Sequence, residues 1–164
     1  MTNVRLWVAT LVVILGVNAD LPAQTKPSAD GLRGIKTKAE LEALVSKLRS
    51  GQLKGPQTLF EGDHGPYRIY TSYIDNRKGV ADIHAVDDEV FVVLSGSAQC
   101  TLGGDVADKK LIQANEYRGA QIIGGVTRPV AAGDIVSAPR GTAHQMDPGA
   151  GHVLYVVIKM IGKP

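Results

Sequence analysis

Three side chains in one short stretch, Asp82, His84 and Glu89, are of types that bind metals or transfer protons. Asp82 and His84 are two positions apart, so on an extended strand both project from the same face. Glu89 opens an apolar run at 90–94 that predicts a second strand, and the turn-like residues 87–88 predict a hairpin between the two. Such a hairpin brings two carboxylates and an imidazole together, which suits a divalent transition metal.

A second stretch, residues 133–144, places another histidine just after a Pro-x-Gly turn. Together the two stretches resemble the paired sequence motifs of the cupins, a family of small jelly-roll β-barrels. The positions that match at the family's spacing are His84, Glu89 and Gly96 in the first motif and Gly133, Pro139, Gly141 and His144 in the second. The resemblance to a small, single-domain, type-2-like cupin implies an all-β, antiparallel jelly-roll barrel over residues 55–160.

The sequence departs from the cupin pattern at three positions. Asp82 stands where the family has its first histidine, Asn76 where it has a leading glycine, and Pro148 where it has a final asparagine. In metal-binding cupins the residues at the motif positions hold the metal, so the resemblance implies His84, Glu89 and His144 as ligands. Asp82 occupies the fourth position, either as a ligand or as an outer acceptor that orients one.

The implied cofactor is a divalent metal ion, with Mn, Fe, Zn and Ni all compatible with imidazole and carboxylate ligands. The competing interpretation is a cupin that has lost its metal and keeps these residues as ordinary barrel residues. A metal-loaded barrel predicts an enzyme acting on a small molecule, and oxygenase, isomerase and lyase chemistries all occur in the family. The alternative is a non-catalytic module that binds a small molecule or a metal.

An enzyme would need a general acid or base beside the metal. The candidates are Tyr70, Tyr73, Glu116 and His152. Tyr70 and Tyr73 lie on opposite faces of one predicted strand, so at most one of them points into the barrel. Glu116 and Arg118 either pair with each other or line the barrel mouth. The pocket should also contain Phe91 and Met146, on the inward face with Glu89 and His144.

Local patterns predict the elements around this site. Thr37 and Glu40 form a capping box, an apolar stripe follows, and Gly51 ends the pattern, which predicts a helix over 37–51. The helix packs on the barrel or mediates self-association. Strands alternate with Gly and Pro turns from residue 59 onward, which is typical of a sandwich or barrel. Residues 105–123 are polar and poorly periodic, which predicts an irregular excursion over the barrel surface or mouth.

The N-terminal end predicts export. Residues 1–19 have the positive residue and the apolar run, about a dozen residues long, of a signal peptide, and residues 20–36 read as a linker. The alternative is an uncleaved N-terminal anchor. The expected location is therefore periplasmic or secreted, with no membrane attachment after cleavage. A lone cysteine, Cys100, excludes an internal disulfide, and it is either a buried strand residue or a reactive thiol.

Composition limits the partners. The net charge is only +2, which gives no electrostatic case for nucleic acid. The outward positions Val90, Val92 and Leu94 form an apolar sheet face that is compatible with a homodimer, or with a barrel whose role is oligomerisation. His64, in a predicted loop, is expected to be solvated.

Overall fold

Antiparallel strands make up most of the structure, a computed structural model that describes residues 36–59 and 66–163. The predicted signal peptide 1–19, the linker 20–36 except its last residue, and His64 lie outside the described residues. In chain order the elements are α1 Lys38–Arg49, β1 Gln57–Thr58, β2 Tyr67–Asp75, β3 Ala81–His84, β4 Asp88–Leu102, β5 Asp105–Val106, β6 Lys110–Gln113, β7 Glu116–Gly119, β8 Ile122–Ile123, β9 Val126–Ala131, β10 Ile135–Ala138, β11 His144–Asp147 and β12 His152–Met160.

The long strand β4 connects the two halves of the barrel. Its first half pairs with β12 and β10, and its second half pairs with β11 and β9, all antiparallel. The change of partners comes at Gly96, which has φ of +76°, a conformation that glycine adopts without steric cost. Before Gly96 the strand alternates, with Glu89, Phe91 and Val93 buried and the residues between them half-buried. One face of β4 therefore supplies the barrel interior.

The main path through this curled antiparallel sheet runs in the order β1, β2, β12, β4, β11, β3, β7, β6, and β9 and β10 pair with β4 off that path. Strands β5 and β8 form a separate two-stranded sheet. The core between them is aliphatic and aromatic. Its members include Ile74, Phe91, Val93, Val136, Met146, Val153, Tyr155 and Val157. Continuous apolar runs at 90–94 in β4 and at 153–158 in β12 supply this interior, because alternate residues of an extended strand point to the same face.

The predicted hairpin around Asp82 and Glu89 is wrong. Among the described strands, β3 pairs with β11 and β7, and β11 lies between β3 and β4. The chain leaves the sheet after His84, where the amide of Ala85 donates to the carbonyl of Asn115 at 2.8 Å. Residues 85–87 therefore carry the chain across the barrel instead of turning it back. In this arrangement His144 is the direct partner of Asp82 across the strand pair.

The irregular excursion predicted at 105–123 is also wrong in part. Four short strands, β5 to β8, occupy this region, and β7 pairs along the whole of β3. Strands of two to four residues are too short to show period-two alternation, which is why the sequence pattern did not reveal them. The consequence is that Glu116 and Arg118 lie in a sheet strand next to β3.

Helix α1 forms with the predicted capping box. The amide of Glu40 donates to Thr37 Oγ1 at 3.3 Å, and the amide of Thr37 donates to Glu40 Oε2 at 2.8 Å. The helix ends before Gly51, whose φ of +75° gives the left-handed C-terminal turn. Leu48 is its buried residue. Within the described part of the chain, no helix has both the length and the apolar character needed to cross a membrane.

Candidate metal centre

A cavity of about 290 Å³ lies inside the barrel. Its polar wall is formed by Tyr70, Asp82, His84, Glu89, Glu116, Arg118 and His144, and its apolar wall by Ile74, Phe91, Met146, Tyr155 and Val157. All four predicted metal ligands therefore face one space, and Phe91 and Met146 line it as predicted. The ligands come from β3, β4 and β11, which are neighbours only because of the barrel topology.

Glu89 lies between the two histidines. Its Oε1 is 3.3 Å from His84 Nε2 and its Oε2 is 3.3 Å from His144 Nε2. The Tyr70 hydroxyl donates to Oε1 at 3.1 Å, and Lys159 Nζ lies 3.5 Å from the same oxygen. Burial alone would raise the pKa of Glu89, but the contact with His84 and the charges of His144, His84 and Lys159 outweigh it, so the pKa is lowered. Glu89 is a carboxylate at neutral pH.

His144 is oriented as a metal ligand would be. The turn that precedes β11 is fixed by a hydrogen bond from the Gly141 amide to the His84 carbonyl at 2.8 Å. His144 Nδ1 faces the Thr142 carbonyl at 3.3 Å, and a carbonyl can only accept, so Nδ1 carries the hydrogen. Burial lowers the pKa of His144 against the opposing charge of Glu89. The neutral ring then directs an Nε2 lone pair at a carboxylate oxygen, and a cation between them would relieve the repulsion.

His84 has a different neighbour. Its Nδ1 is 2.9 Å from Lys159 Nζ, and both side chains are buried. Lys159 also lies 3.4 Å from Asp87 Oδ2. Lys159 was not predicted as a site residue, although the sequence contains a signal. It is the one charged residue in the strongly apolar segment 153–160, at one of the positions where the side chains of β12 alternate towards the barrel interior.

Asp82 is held by Arg118. The Arg118 Nε donates to both carboxylate oxygens, at 3.1 and 3.2 Å, and its Nη2 donates to Glu116 Oε1 at 2.8 Å. Both alternatives predicted for Glu116 and Arg118 are therefore correct, because the two residues pair with each other and also line the cavity. Even so, Asp82, His84 and His144 offer ligand atoms that all lie within 4.8 Å of one another. Asp82 is close enough to serve as a ligand while Arg118 holds it from the outside.

The donor set fits a divalent metal. Two imidazoles and one or two carboxylates are the ligands that Mn, Fe, Zn and Ni accept. The charged side chains that line the cavity are the three carboxylates of Asp82, Glu89 and Glu116 and the two guanidinium groups of Arg77 and Arg118, so carboxylates are in excess. Lys159 and Asp87 form a further pair beside the cavity, 3.4 Å apart. An excess of negative charge in a partly buried site favours a bound cation.

The remaining candidate residues differ in their position relative to the cavity. Of the two predicted tyrosines, Tyr70 points into the barrel and contacts Glu89, while Tyr73 borders the cavity with its ring 6.0 Å from that of His152. His152 Nε2 is 3.1 Å from Ser95 Oγ and does not line the cavity. Cys100 is buried in the core, and burial raises the pKa of its thiol to about 11, which agrees with a packed strand residue.

Solved structures resemble this fold, although no family model matches the sequence and no curated protein matches it. A cupin-2 domain protein from Shewanella frigidimarina aligns with a TM-score of 0.50 at 16% identity, covering 79% of this chain and 96% of that one. The chain has the cupin fold. A cupin-2 domain from Rhodospirillum rubrum aligns at a TM-score of 0.49 and 14% identity, covering 66% of this chain and 60% of that one.

Oxalate oxidase also aligns, with a TM-score of 0.42 and 20% identity over 58% of this chain. This chain spans less than half of the oxalate oxidase chain, 42% of its length. At these identities the likeness concerns the fold, and the chemistry of this protein has to be argued from its own residues.

Proposed function

We propose that this cupin binds one divalent metal ion in its barrel through His84, Glu89 and His144. The observation that carries the proposal is the convergence of both Nε2 atoms on the buried Glu89 carboxylate, each at 3.3 Å. Two histidines and one carboxylate with open positions match the facial arrangement of non-haem iron enzymes. Asp82 is the fourth ligand or the group that Arg118 holds beside it.

We further propose that the metal site serves an enzyme acting on a small molecule. A bound divalent metal would supply Lewis-acid or dioxygen chemistry. The cavity of about 290 Å³ is at the small end of ligand pockets. Its apolar wall, which includes Phe91 and Met146, would contact the body of the substrate while the histidine side contacts its reacting oxygens.

One observation favours the non-catalytic alternative. The hydroxyl of Tyr70 lies inside the barrel beside Glu89. Burial together with the charge of Glu89 raises the pKa of Tyr70 far above the usual range. A phenol in this state is a poor proton donor at neutral pH. If purified, metal-loaded protein binds small molecules without turning any over, and if Tyr70→Phe leaves that binding unchanged, the binding-module alternative is supported.

Metal analysis of the purified protein tests the site. Protein produced with Mn, Fe, Zn and Ni available should carry about one equivalent of metal per chain, and His144→Ala should remove most of it. His152→Ala is the matched control, because that histidine lies outside the cavity and its loss should leave the metal content unchanged. Well-folded protein with less than about a tenth of an equivalent of any metal would contradict the proposal.

The same measurement separates the two roles of Asp82. If Asp82 is a ligand, Asp82→Ala should lower the metal affinity at least as much as His84→Ala does. If it orients a neighbour from outside, the loss should be about 10- to 100-fold and the metal should still bind. Arg118→Gln releases Asp82 without removing it, so a gain in affinity in that variant would indicate that Arg118 restrains a ligand.

We also propose that the protein is exported to the periplasm or secreted. Support comes from the signal-like composition of residues 1–19. Expression of the full chain in a bacterial host, followed by fractionation and mass measurement, should yield an extracytoplasmic form shortened at or near residue 19. A full-length form retained in the membrane fraction would support the anchor alternative.

A further inference from the structure

Lys159 is a buried cation on an otherwise apolar strand. It points inward from β12 between half-buried aliphatic neighbours, and only 9% of its surface is exposed. A buried lysine without partners is strongly disfavoured. Here its ammonium lies 2.9 Å from His84 Nδ1, 3.4 Å from Asp87 Oδ2 and 3.5 Å from Glu89 Oε1. Its position is therefore tied to two groups of the proposed metal site.

The contact with His84 fixes where that ring carries its hydrogen. An ammonium group has three donors and no acceptor, so the Nδ1 that faces it must accept. In the neutral ring the hydrogen then lies on Nε2, which faces Glu89 Oε1 at 3.3 Å. His144 is the reverse case, because its Nδ1 faces a carbonyl that can only accept. The two histidines thus present unlike atoms to the cavity, an N–H from His84 and a lone pair from His144.

We propose that Lys159 is a positioning residue that keeps the hydrogen of His84 on Nε2 and thereby sets the metal affinity of the barrel. The first half concerns the metal-free protein alone, and the second half rests on the proposed function. A metal can use His84 Nε2 only after the ring has lost the hydrogen of Nε2 to solvent and taken one up on Nδ1, and that exchange requires the Lys159 contact with Nδ1 to be broken. Asp87 and Glu89 already lie within 3.5 Å of Nζ and would retain the ammonium.

Nitrogen-15 NMR of the histidine side chains in metal-free protein tests the first half. The expected spectrum shows His84 protonated on Nε2 and His144 protonated on Nδ1, assigned with His84→Gln and His144→Gln. In Lys159→Met the Nδ1 resonance of His84 should move towards that of an unbonded nitrogen. Lys110→Met, which removes an exposed lysine from β6, should move neither. Finding His84 protonated on Nδ1 in the wild-type protein overturns the proposal.

Titration with Zn²⁺ and Mn²⁺ tests the second half. Lys159→Met should bind metal about 10- to 100-fold more tightly than the wild-type protein, the range over which groups that orient ligands act. Lys110→Met should bind as the wild type does. Lys159→Gln supplies a neutral polar replacement if the methionine variant is poorly folded. Equal affinity in wild type and the Lys159 variants overturns this half.

The two proposals can fail separately. If neither the wild-type protein nor any Lys159 variant binds metal, the proposed metal function fails and the affinity half falls with it. The assignment of the His84 hydrogen is measured without metal, so it stands or falls on the NMR spectrum.

Discussion

Glu89 has more polar neighbours than any other residue of the site described above. Four side chains surround its carboxylate, those of Tyr70, His84, His144 and Lys159, and only 2% of the residue is exposed. A buried carboxylate is tolerated only when its oxygens are satisfied. The donors of Tyr70, His84 and Lys159 therefore explain how an ionised group can lie in the barrel core. The loss of one donor should then weaken the whole site.

The first prediction concerns the hydroxyl of Tyr70. Tyr70→Phe removes the 3.1 Å hydrogen bond to Glu89 while it keeps the ring, and hydrogen bonds to charged groups contribute about 1.5–3 kcal/mol. We expect the free energy of unfolding, measured with urea at pH 7 on metal-free protein, to fall by about that amount. Tyr73→Phe, which removes a hydrogen bond to the exposed Asp75, is the control and should lower it by under about 1 kcal/mol. Equal losses in the two variants would show that Tyr70 does not support Glu89.

The second prediction concerns pH and His144. Burial lowers its pKa below the ordinary value of 6.5, so the unfolded chain takes up a proton at a higher pH than the folded protein does. Stability is therefore fully present above pH 6.5 and is lost as the pH falls below it. Glu89, with a pKa lowered from 4.5, adds a further loss at more acidic pH.

Urea unfolding of metal-free protein between pH 8 and pH 5 should show this decline (about the range in which a histidine titrates). His144→Gln should flatten the curve around pH 6.5, because the titrating group is gone. His152→Gln is the matched control and should keep the slope of the wild type. A wild-type protein whose stability rises on acidification from pH 7 to pH 6 would contradict a lowered pKa of His144 in the folded state.

At the level of elements, β4 and the turn before β11 place the site. Gly96 allows β4 to change sheets, and a Cβ at this position would lie 1.9 Å from the carbonyl oxygen of His152. Gly133 and Gly141 also have positive φ, of +98° and +75°, but a Cβ at either position meets nothing within 4 Å. The motif glycines are thus structural. Gly96 is required both by its positive φ and by the close approach of His152, whereas Gly133 and Gly141 are required by their positive φ alone.

The third prediction follows from that difference. Gly133→Ala should cost about 1 kcal/mol of stability, which is the backbone term alone. Gly96→Ala should cost at least about 2 kcal/mol more, because the backbone of β12 must move away from the new methyl group. Thermal and urea unfolding of the two variants measure this. Equal costs would mean that the approach of His152 to Gly96 is not a fixed feature of the fold.

The elements predicted from the sequence are those with a long pattern. Helix α1 has an apolar stripe at helical spacing, β2 is rich in Tyr, Ile and Thr, and β4 and β12 contain long apolar runs; all four are present. The strands β5 to β8 are two to four residues long and were missed. The hairpin between β3 and β4 was wrongly expected because short connections usually join paired strands. A jelly roll breaks that rule, since here β11 inserts between them.

The same limit applies to the site. His84, Glu89 and His144 could be predicted from their fixed spacing, which resembles a family pattern. Lys159 lies 75 positions from His84, and no local pattern connects the two. Arg118 was placed near the site only as one of two alternatives, because its strand was not predicted. Residues that complete a site from a strand distant in sequence can be assigned to it only once the register of the sheet is known.

At the scale of the whole molecule, the proposed site joins β2, β3, β4, β7, β11 and β12. Strands from the two halves of the chain contribute its carboxylates, its imidazoles and its lysine. Unfolding must therefore destroy the site, and a metal that binds only the folded barrel must stabilise the entire chain. The outer face that carries Val90, Val92 and Leu94 is half-buried in the single chain, and self-association through it stays a prediction.

The fourth prediction is this linkage. At a free metal concentration about 100 times the dissociation constant, the free energy of unfolding should rise by about 2.7 kcal/mol, because the unfolded chain lacks the site. The gain should scale with the logarithm of metal concentration and disappear with EDTA. His144→Ala should show little of it, whereas His152→Ala should show all of it, since only the first histidine faces Glu89. Equal stabilisation of the two variants would mean that the metal acts at another place on the protein.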